Sequence, residues 1–290
     1  MENYAIITDA AANLLPEQCR ELNITVLPML VRIEDQEFDW GAQTDGLDCK
    51  VFYDKMRSGA STGTAALNLG NWEECMRPVL EQGKDVLLLV FSSTLSFSFD
   101  YTCAAAEEMR EEFPERKIEV VDTLCADFGE GMLVIAAAKN RAAGMSLDEN
   151  ARWVEHNRLR YCHWFTVDDL RYLRRGGRIS AATALVGSAL GIKPILHVDN
   201  EGRLVSVGKA RGRKHALMTL VEKVGELAVN PENQTMFLCQ ADCMEDATFV
   251  MDEIRARYGT KDFVVNYTSP VCGAHSGPGT LAVFFVGRER

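Results

Sequence analysis

Short apolar runs and stretches of helical periodicity alternate along the first half of the chain. Runs of strand length fall at 4–8, 24–31, 86–91 and 118–121, and helical patterns fall between them at 16–22, 48–57, 72–81, 98–113 and 130–143. That alternation predicts a parallel sheet covered by helices, a Rossmann-like α/β unit. Three of the runs end in polar residues: Thr8-Asp9, Ser92-Ser93 and Asp122-Thr123. In open parallel sheets ligands sit at the carboxyl ends of the strands, so these ends are the first places to look for a site. After a helical pattern at 147–157 the order changes. Strands are predicted at 161–167, 203–207, 236–241, 263–268 and 281–286, with a hairpin turn at Asn200-Glu201-Gly202 and helices at 168–175, 180–190, 213–227 and 245–258. The expected fold class is therefore α/β with two domains: residues 1–158 as a Rossmann-like parallel sheet, and 159–290 as a mixed-sheet domain. A ligand site is expected between them, since clefts between domains are common binding sites.

Composition narrows the function classes. The chain has 290 residues, 47% of them hydrophobic, enough for two buried cores. No run approaches the roughly 18 to 20 apolar residues of a membrane-spanning helix, and no basic-then-apolar signal region opens the sequence. Nine cysteines at irregular spacings, with no Cys-x-x-Cys, fit free thiols in a reducing cytoplasm. A net charge of −11 disfavours nucleic acid and anionic membrane surfaces as partners, because both are polyanions. A cytoplasmic protein with no nucleic-acid partner and no membrane insertion is the expectation.

Phosphate-loop, nucleophile-elbow and zinc-helix signatures are missing. His156 and His163 flank Cys162 without further ligands at metal spacing, so packing explains them better than a metal. Four segments combine turn-forming, hydroxyl and charged residues. Gly59 to Ala66, with Thr62 and Thr64, reads as a small-residue loop that either approaches a ligand or caps the next helix. Ser92-Ser93-Thr94-Leu95-Ser96-Phe97-Ser98 follows a buried strand and opens a helix, where unpaired N–H groups and the helix dipole favour an anion. A third segment, from Asp168 to Ser180, pairs with the basic run Lys209 to Lys214. Arg174 and Arg175 suit a helix C-terminus, whereas Arg178 and Arg211 suit bidentate contact with phosphate or an acidic partner. The last, Thr268 to Gly279, presents His275 among glycines and prolines that offer it little packing.

In this order the segments resemble the DegV family of bacterial fatty-acid-binding proteins. The matching motifs are Ile7-Thr8-Asp9, Thr64, Ser92-Ser93-x-Leu95-Ser96, Val121-Asp122, Asp169-Leu170-x-Tyr172-Leu173 and Gly176-Gly177-Arg178-Ile179-Ser180. They continue with Ile192-Lys193-Pro194-Ile195, Lys209-Ala210-Arg211-Gly212 and His275-Ser276-Gly277-Pro278-Gly279. The resemblance implies a binding protein without a catalytic residue, cofactor or metal of its own. A long-chain fatty acid would lie between the two domains, its carboxylate on Thr64 and Ser96 with His275. Arg178 and Arg211 would face a separate fatty-acid kinase that makes an acyl phosphate. Two other readings are a lipid buffer or sensor without a kinase, and a hydrolase using Ser96 and His275. The chain departs from the family pattern at Ala10, at Gly63-Thr64-Ala65-Ala66, where Thr62 is a substitute ligand, and at Phe97-Ser98 beside Ser93 and Ser96, where a benzyl group is expected to reshape the pocket. Burying about fourteen methylenes at roughly 0.8 kcal/mol each gives an upper limit of ~11 kcal/mol, against about 1 kcal/mol net per neutral hydrogen bond at the head. The tail should hold and the head should orient.

Overall fold

The computed structural model describes residues 4–41, 47–180 and 191–290. Strands β1 (Tyr4–Asp9), β2 (Ile24–Leu27), β6 (Asp85–Val90) and β7 (Ile118–Asp122) form a four-stranded parallel sheet in the order β2-β1-β6-β7. Helices α1 (Pro16–Glu21), α3 (Leu69–Glu81), α4 (Ser98–Glu112), α5 (Phe128–Ala142) and α6 (Leu147–Asn157) lie among and after these strands. Nearly all of β6 is fully buried, as a parallel strand covered on both faces should be. A second sheet has six strands in the order β10-β9-β8-β13-β11-β12. Its members are β8 (Tyr161–Thr166), β9 (Ile192–Val198), β10 (Leu204–Arg211), β11 (Met236–Gln240), β12 (Phe263–Tyr267) and β13 (Leu281–Val286). Only β11 and β12 pair in parallel, so the sheet is mixed. Among the described residues, helices α7 (Arg171–Arg175), α8 (Arg213–Leu227), α9 (Met244–Tyr258) and α10 (Pro270–Ser276) belong to this half.

The structure differs from the sequence reading in several places. The run at 24–31 is two strands, not one. Pro28 lacks an N–H and breaks the ladder, so β2 stays in the parallel sheet while β3 (Met29–Ile33) leaves it. β3 pairs antiparallel with β4 (Gln36–Trp40) and with β5 (Thr62–Thr64), a three-stranded sheet that the periodicity did not reveal. Helix α2 (Cys49–Arg57) connects β4 to β5, its N-cap Asp48 accepting the Val51 N–H. The stretch Thr62-Gly63-Thr64 is thus an edge strand and not a loop. β9 was not anticipated as a strand, and β10 runs four residues beyond the predicted 203–207. The segment around His275 forms α10, capped by Ser269 at Cys272 N–H. Of the helix expected at 180–190, residues 181–190 fall outside those described.

Helix α5 joins the two halves. It packs against β1 on one side and against β8, β11 and β13 on the other, and ten of its fifteen residues are buried. Phe128 meets Phe237 and Phe284 edge-on, at 5.2 and 6.2 Å between ring centroids. Such close packing requires small residues. A β-carbon on Gly129 would lie 1.9 Å from His163 Nε2, and one on Gly131 would lie 2.4 Å from the Ala12 carbonyl oxygen.

Candidate functional site

Between the sheets lies a cavity of about 120 Å³. Phe91, Leu95, Phe165, Val198, Leu204 and Phe284 supply much of its apolar wall. Thr64, Ser96, Arg178 and His275 line it too. Those four are half-buried and have exposed neighbours, Ala65, Ala66 and Phe97, so the polar group marks the mouth. Most of the apolar wall is deeply buried, with Leu95 at 7%, Val198 at 1% and Phe284 at 3% exposure.

Each mouth residue has a local reason for its place. β5 pairs Thr64 with Val31 and Thr62 with Ile33. Thr64 Oγ1 lies 2.8 Å from Nε2 of His275, the penultimate residue of α10. Thr62 donates to the Ala274 carbonyl at 3.1 Å and accepts from Arg175 Nη2 at 3.3 Å, so it is committed outside the cavity. Ser96 precedes α4, where its Oγ accepts the Ser98 N–H at 3.2 Å and lies 3.1 Å from Ser98 Oγ. The turn that carries Ser96 is stitched to two strand ends. Asp9 accepts the Phe91 N–H at 3.2 Å and the Ala11 N–H at 2.9 Å, while Asp122 accepts the Ser93 and Leu124 N–H groups at 3.2 and 2.9 Å. The polar strand ends therefore build the frame of the site. Burial raises the Asp9 carboxyl to about 6, partly offset by those two backbone N–H groups.

Burial is also the main cause that lowers His275 to about 4, followed by repulsion from Arg178 and Arg175. The imidazole is neutral at pH 7 and can donate or accept, but contributes no charge. Arg178 brings the positive charge. Its Nε donates to the Leu95 carbonyl at 3.1 Å and its Nη1 to the Gly176 carbonyl. Those two N–H groups serve the backbone, which ties the guanidinium to the residue before Ser96 and removes them from a bidentate grip on phosphate. Arg175, read as a helix-end charge, stacks over Tyr172 at 5.2 Å and reaches β5.

Other sequence-predicted residues are not brought to this group. Arg211 is exposed at the end of edge strand β10, and among the described residues it does not line the cavity. Ser93 is half-buried and also away from the cavity wall. Phe97 corrects an expectation: it is 72% exposed and points away from the pocket that it was expected to reshape. Its position one residue before α4 directs the benzyl group outward while Leu95 turns in. His275 is also not poorly packed as expected, because α10 places it against Gly176 and Thr64. His163 is buried, accepts the Ala126 N–H at 3.1 Å on Nε2 and bonds the Tyr161 carbonyl at 2.8 Å through Nδ1. Sequence reasoning missed Asp127, which lines the cavity as N-cap of α5. The signal was there in Asp127 followed by Gly129-x-Gly131, a capped helix start built for close approach.

The model of the DegV family matches residues 3–288. This chain belongs to the DegV family. A DegV domain-containing protein of Clostridium perfringens is 40% identical over 287 residues, covering 99% of this chain and 98% of that one. Among solved structures, a DegV family protein of Thermus thermophilus described for fatty acid binding superposes with a TM-score of 0.86 at 27% identity, covering 98% and 99% of the two chains. DegV of Bacillus subtilis, a fatty acid binding protein, gives 0.83 at 27% identity over 99% of each. The α/β architecture, with its four-stranded parallel and six-stranded mixed sheets, is thus the DegV fold. Among the described residues of this DegV chain, no helix is long and apolar enough to cross a membrane.

Proposed function

We propose that this DegV protein binds a long-chain fatty acid in the cavity and presents its carboxylate to a separate fatty-acid kinase in the cytoplasm, without a cofactor of its own. The observation that carries the reading is one cavity with a buried apolar wall and a half-buried mouth holding Thr64, Ser96, His275 and Arg178. The fatty acid binding of the Thermus and Bacillus relatives supports it. The carboxylate would accept from the hydroxyls and the neutral imidazole, with Arg178 balancing its charge. Arg211, exposed on an edge strand, would belong to the docking face.

Binding suits this geometry better than hydrolysis. Activating a serine requires a base hydrogen-bonded to it. Ser96 Oγ instead engages Ser98, and His275 Nε2 engages Thr64. The test is incubation of the protein with octadecanoic acid, ATP and a purified bacterial fatty-acid kinase. Acyl phosphate that requires both proteins supports presentation. Tight fatty-acid binding with no acyl phosphate from an active kinase would leave a buffer or sensor, and ester turnover by the protein alone, lost in Ser96→Ala, would replace the reading with hydrolysis.

A further inference from the structure

Away from its mouth the cavity carries a second set of polar side chains that a carboxylate at Thr64 and Ser96 does not use. Asp127, Cys239, Thr268 and Cys272 line it together. Asp127 is 6%, Cys239 1% and Thr268 2% exposed. The Asp127 backbone is at φ 51°, ψ −140°, a region that side chains rarely occupy, and such strain concentrates at ligand sites. Its Oδ1 accepts from Asn13 Nδ2 and from the Phe128 N–H, both at 2.8 Å, and its carboxylate also meets the thiols of Cys239 and Cys272.

Thr268 is fixed just as firmly. Its N–H donates to the Gln240 carbonyl at 2.9 Å, and its own carbonyl accepts from the buried Tyr53 hydroxyl at 2.7 Å. Its side chain is the exception. Thr268 Oγ1 is buried with no nitrogen or oxygen partner among the described residues, and only the weakly bonding Cys239 thiol stands beside it. Buried hydroxyls are normally paired, and leaving one unpaired in a wall otherwise suited to hydrocarbon is unfavourable. A group arriving with the ligand would pair it. Cys272 and Thr268 precede His275 by three and seven residues. At about 1.5 Å per residue Cys272 lies roughly 4.5 Å from His275 along α10, and Thr268 lies two residues before that helix begins, farther from the mouth residue along the chain.

We propose that Thr268 and Asp127 form a second station for a hydroxyl carried along the acyl chain, so that the acid this protein prefers is an oxygenated long-chain fatty acid. The ligand hydroxyl would donate to the Asp127 carboxylate and accept from Thr268 Oγ1, replacing only weak thiol contacts. The inference rests on the cavity being a fatty-acid site. A site built to bond a hydroxyl discriminates against the analogue that lacks it, because its own polar groups are then left unpaired. A purely apolar wall would do the opposite and penalise the hydroxyl.

The two cases differ in sign, which makes the test decisive. Octadecanoic acid and its 8-, 10- and 12-hydroxy derivatives are titrated against the full chain by displacement of a fluorescent fatty acid. At least one hydroxy acid should bind about fivefold or more tightly than octadecanoic acid, a modest hydrogen-bond contribution. Thr268→Val should bring that ratio to one or below, and Thr268→Ser, which keeps the hydroxyl, should retain it even if the valine variant folds poorly. Hydroxy acids that all bind equally or more weakly than octadecanoic acid would overturn the proposal, as would a preference that survives in Thr268→Val. Octadecanoic acid binding without a hydroxyl preference sinks the station alone. Failure of every acid to bind sinks the fatty-acid reading with it.

Discussion

Replacing Thr64 by valine isolates the head of the site from its tail. Valine keeps the β-branched shape that suits β5, so the pairing of residue 64 with Val31 should persist. What disappears is the hydroxyl 2.8 Å from His275 Nε2. Without ligand, one neutral hydrogen bond to a half-buried imidazole contributes about 1 kcal/mol, which for a chain of this size shifts Tm by about 2 to 4 °C. With ligand, the lost bond is to a carboxylate and is worth about 1.5 kcal/mol, or close to tenfold in Kd. The tail contributes separately, about 0.8 kcal/mol per methylene, so the fold-loss should be the same for acids of fourteen, sixteen and eighteen carbons. Displacement titrations across that series read both quantities. An unchanged Kd would remove Thr64 from the head of the site, and a loss that grows with chain length would make it part of the tail wall instead.

Four further outcomes follow from the packing and the charges. Gly129→Ala drives a β-carbon toward His163 Nε2 and displaces its bond to Ala126, so chemical denaturation should show a loss of about 2 to 4 kcal/mol; under 1 kcal/mol would mean that α5 has room to shift. Arg290 donates to the carbonyls of Leu124, Arg158, Tyr161 and Asp199, and Arg290→Ala should destabilise by about 2 to 4 kcal/mol, an idea that a loss below 0.5 kcal/mol would contradict. His275 should titrate near 4 in the ligand-free protein by NMR, not near 6.5. Because the unfolded chain takes that proton first, this residue's contribution to stability falls by about 3 kcal/mol as pH drops from about 6.5 to about 4. Asp9 and Asp127, both raised from 3.8 to about 6, act with the opposite sign between those values, so the difference between wild type and His275→Asn is the quantity to plot. Phe97→Ser should leave both melting and fatty-acid affinity unchanged, since the ring is 72% exposed; weakened binding would place it at the ligand after all.

Much of this architecture is written in local patterns. Runs such as Asp85–Val90 and Leu281–Val286 are apolar, short and bounded by turn residues, and helices such as Leu147–Asn157 carry a capping box at Ser146 and Glu149. The small antiparallel sheet was hidden because β3 is continuous in hydrophobicity with β2, and only Pro28 separates them. β5 is three residues long with glycine at its centre, too short to show a period. For the site, residue types pointed to Thr64, Ser96 and His275, which the fold brings to one cavity from three distant segments. Direction was not legible. Nothing in Leu95-Ser96-Phe97 tells which side chain turns inward, because that depends on how the turn is held by Asp9 and Asp122 across the sheet. The partner of a hydroxyl such as Thr268 is equally a tertiary property.

The helix shared by both sheets sets how a ligand can come and go. Phe128 at the start of α5 packs on Phe237 and Phe284, while the same helix lies against β1. Swinging the halves apart like a clamshell would rehydrate Phe128 at about 1.5 to 3 kcal/mol for that side chain alone, and would strip His163 from Gly129. The rim is easier to deform. Among the described residues β5 is a three-residue edge strand laddered to β3 only, held besides by the side-chain bonds of Thr62 and Thr64 to α10, and the 92–97 turn carries no regular backbone ladder. Ligand exchange through this lip would cost a short ladder and a few side-chain bonds, and would leave the body packed on α5 intact.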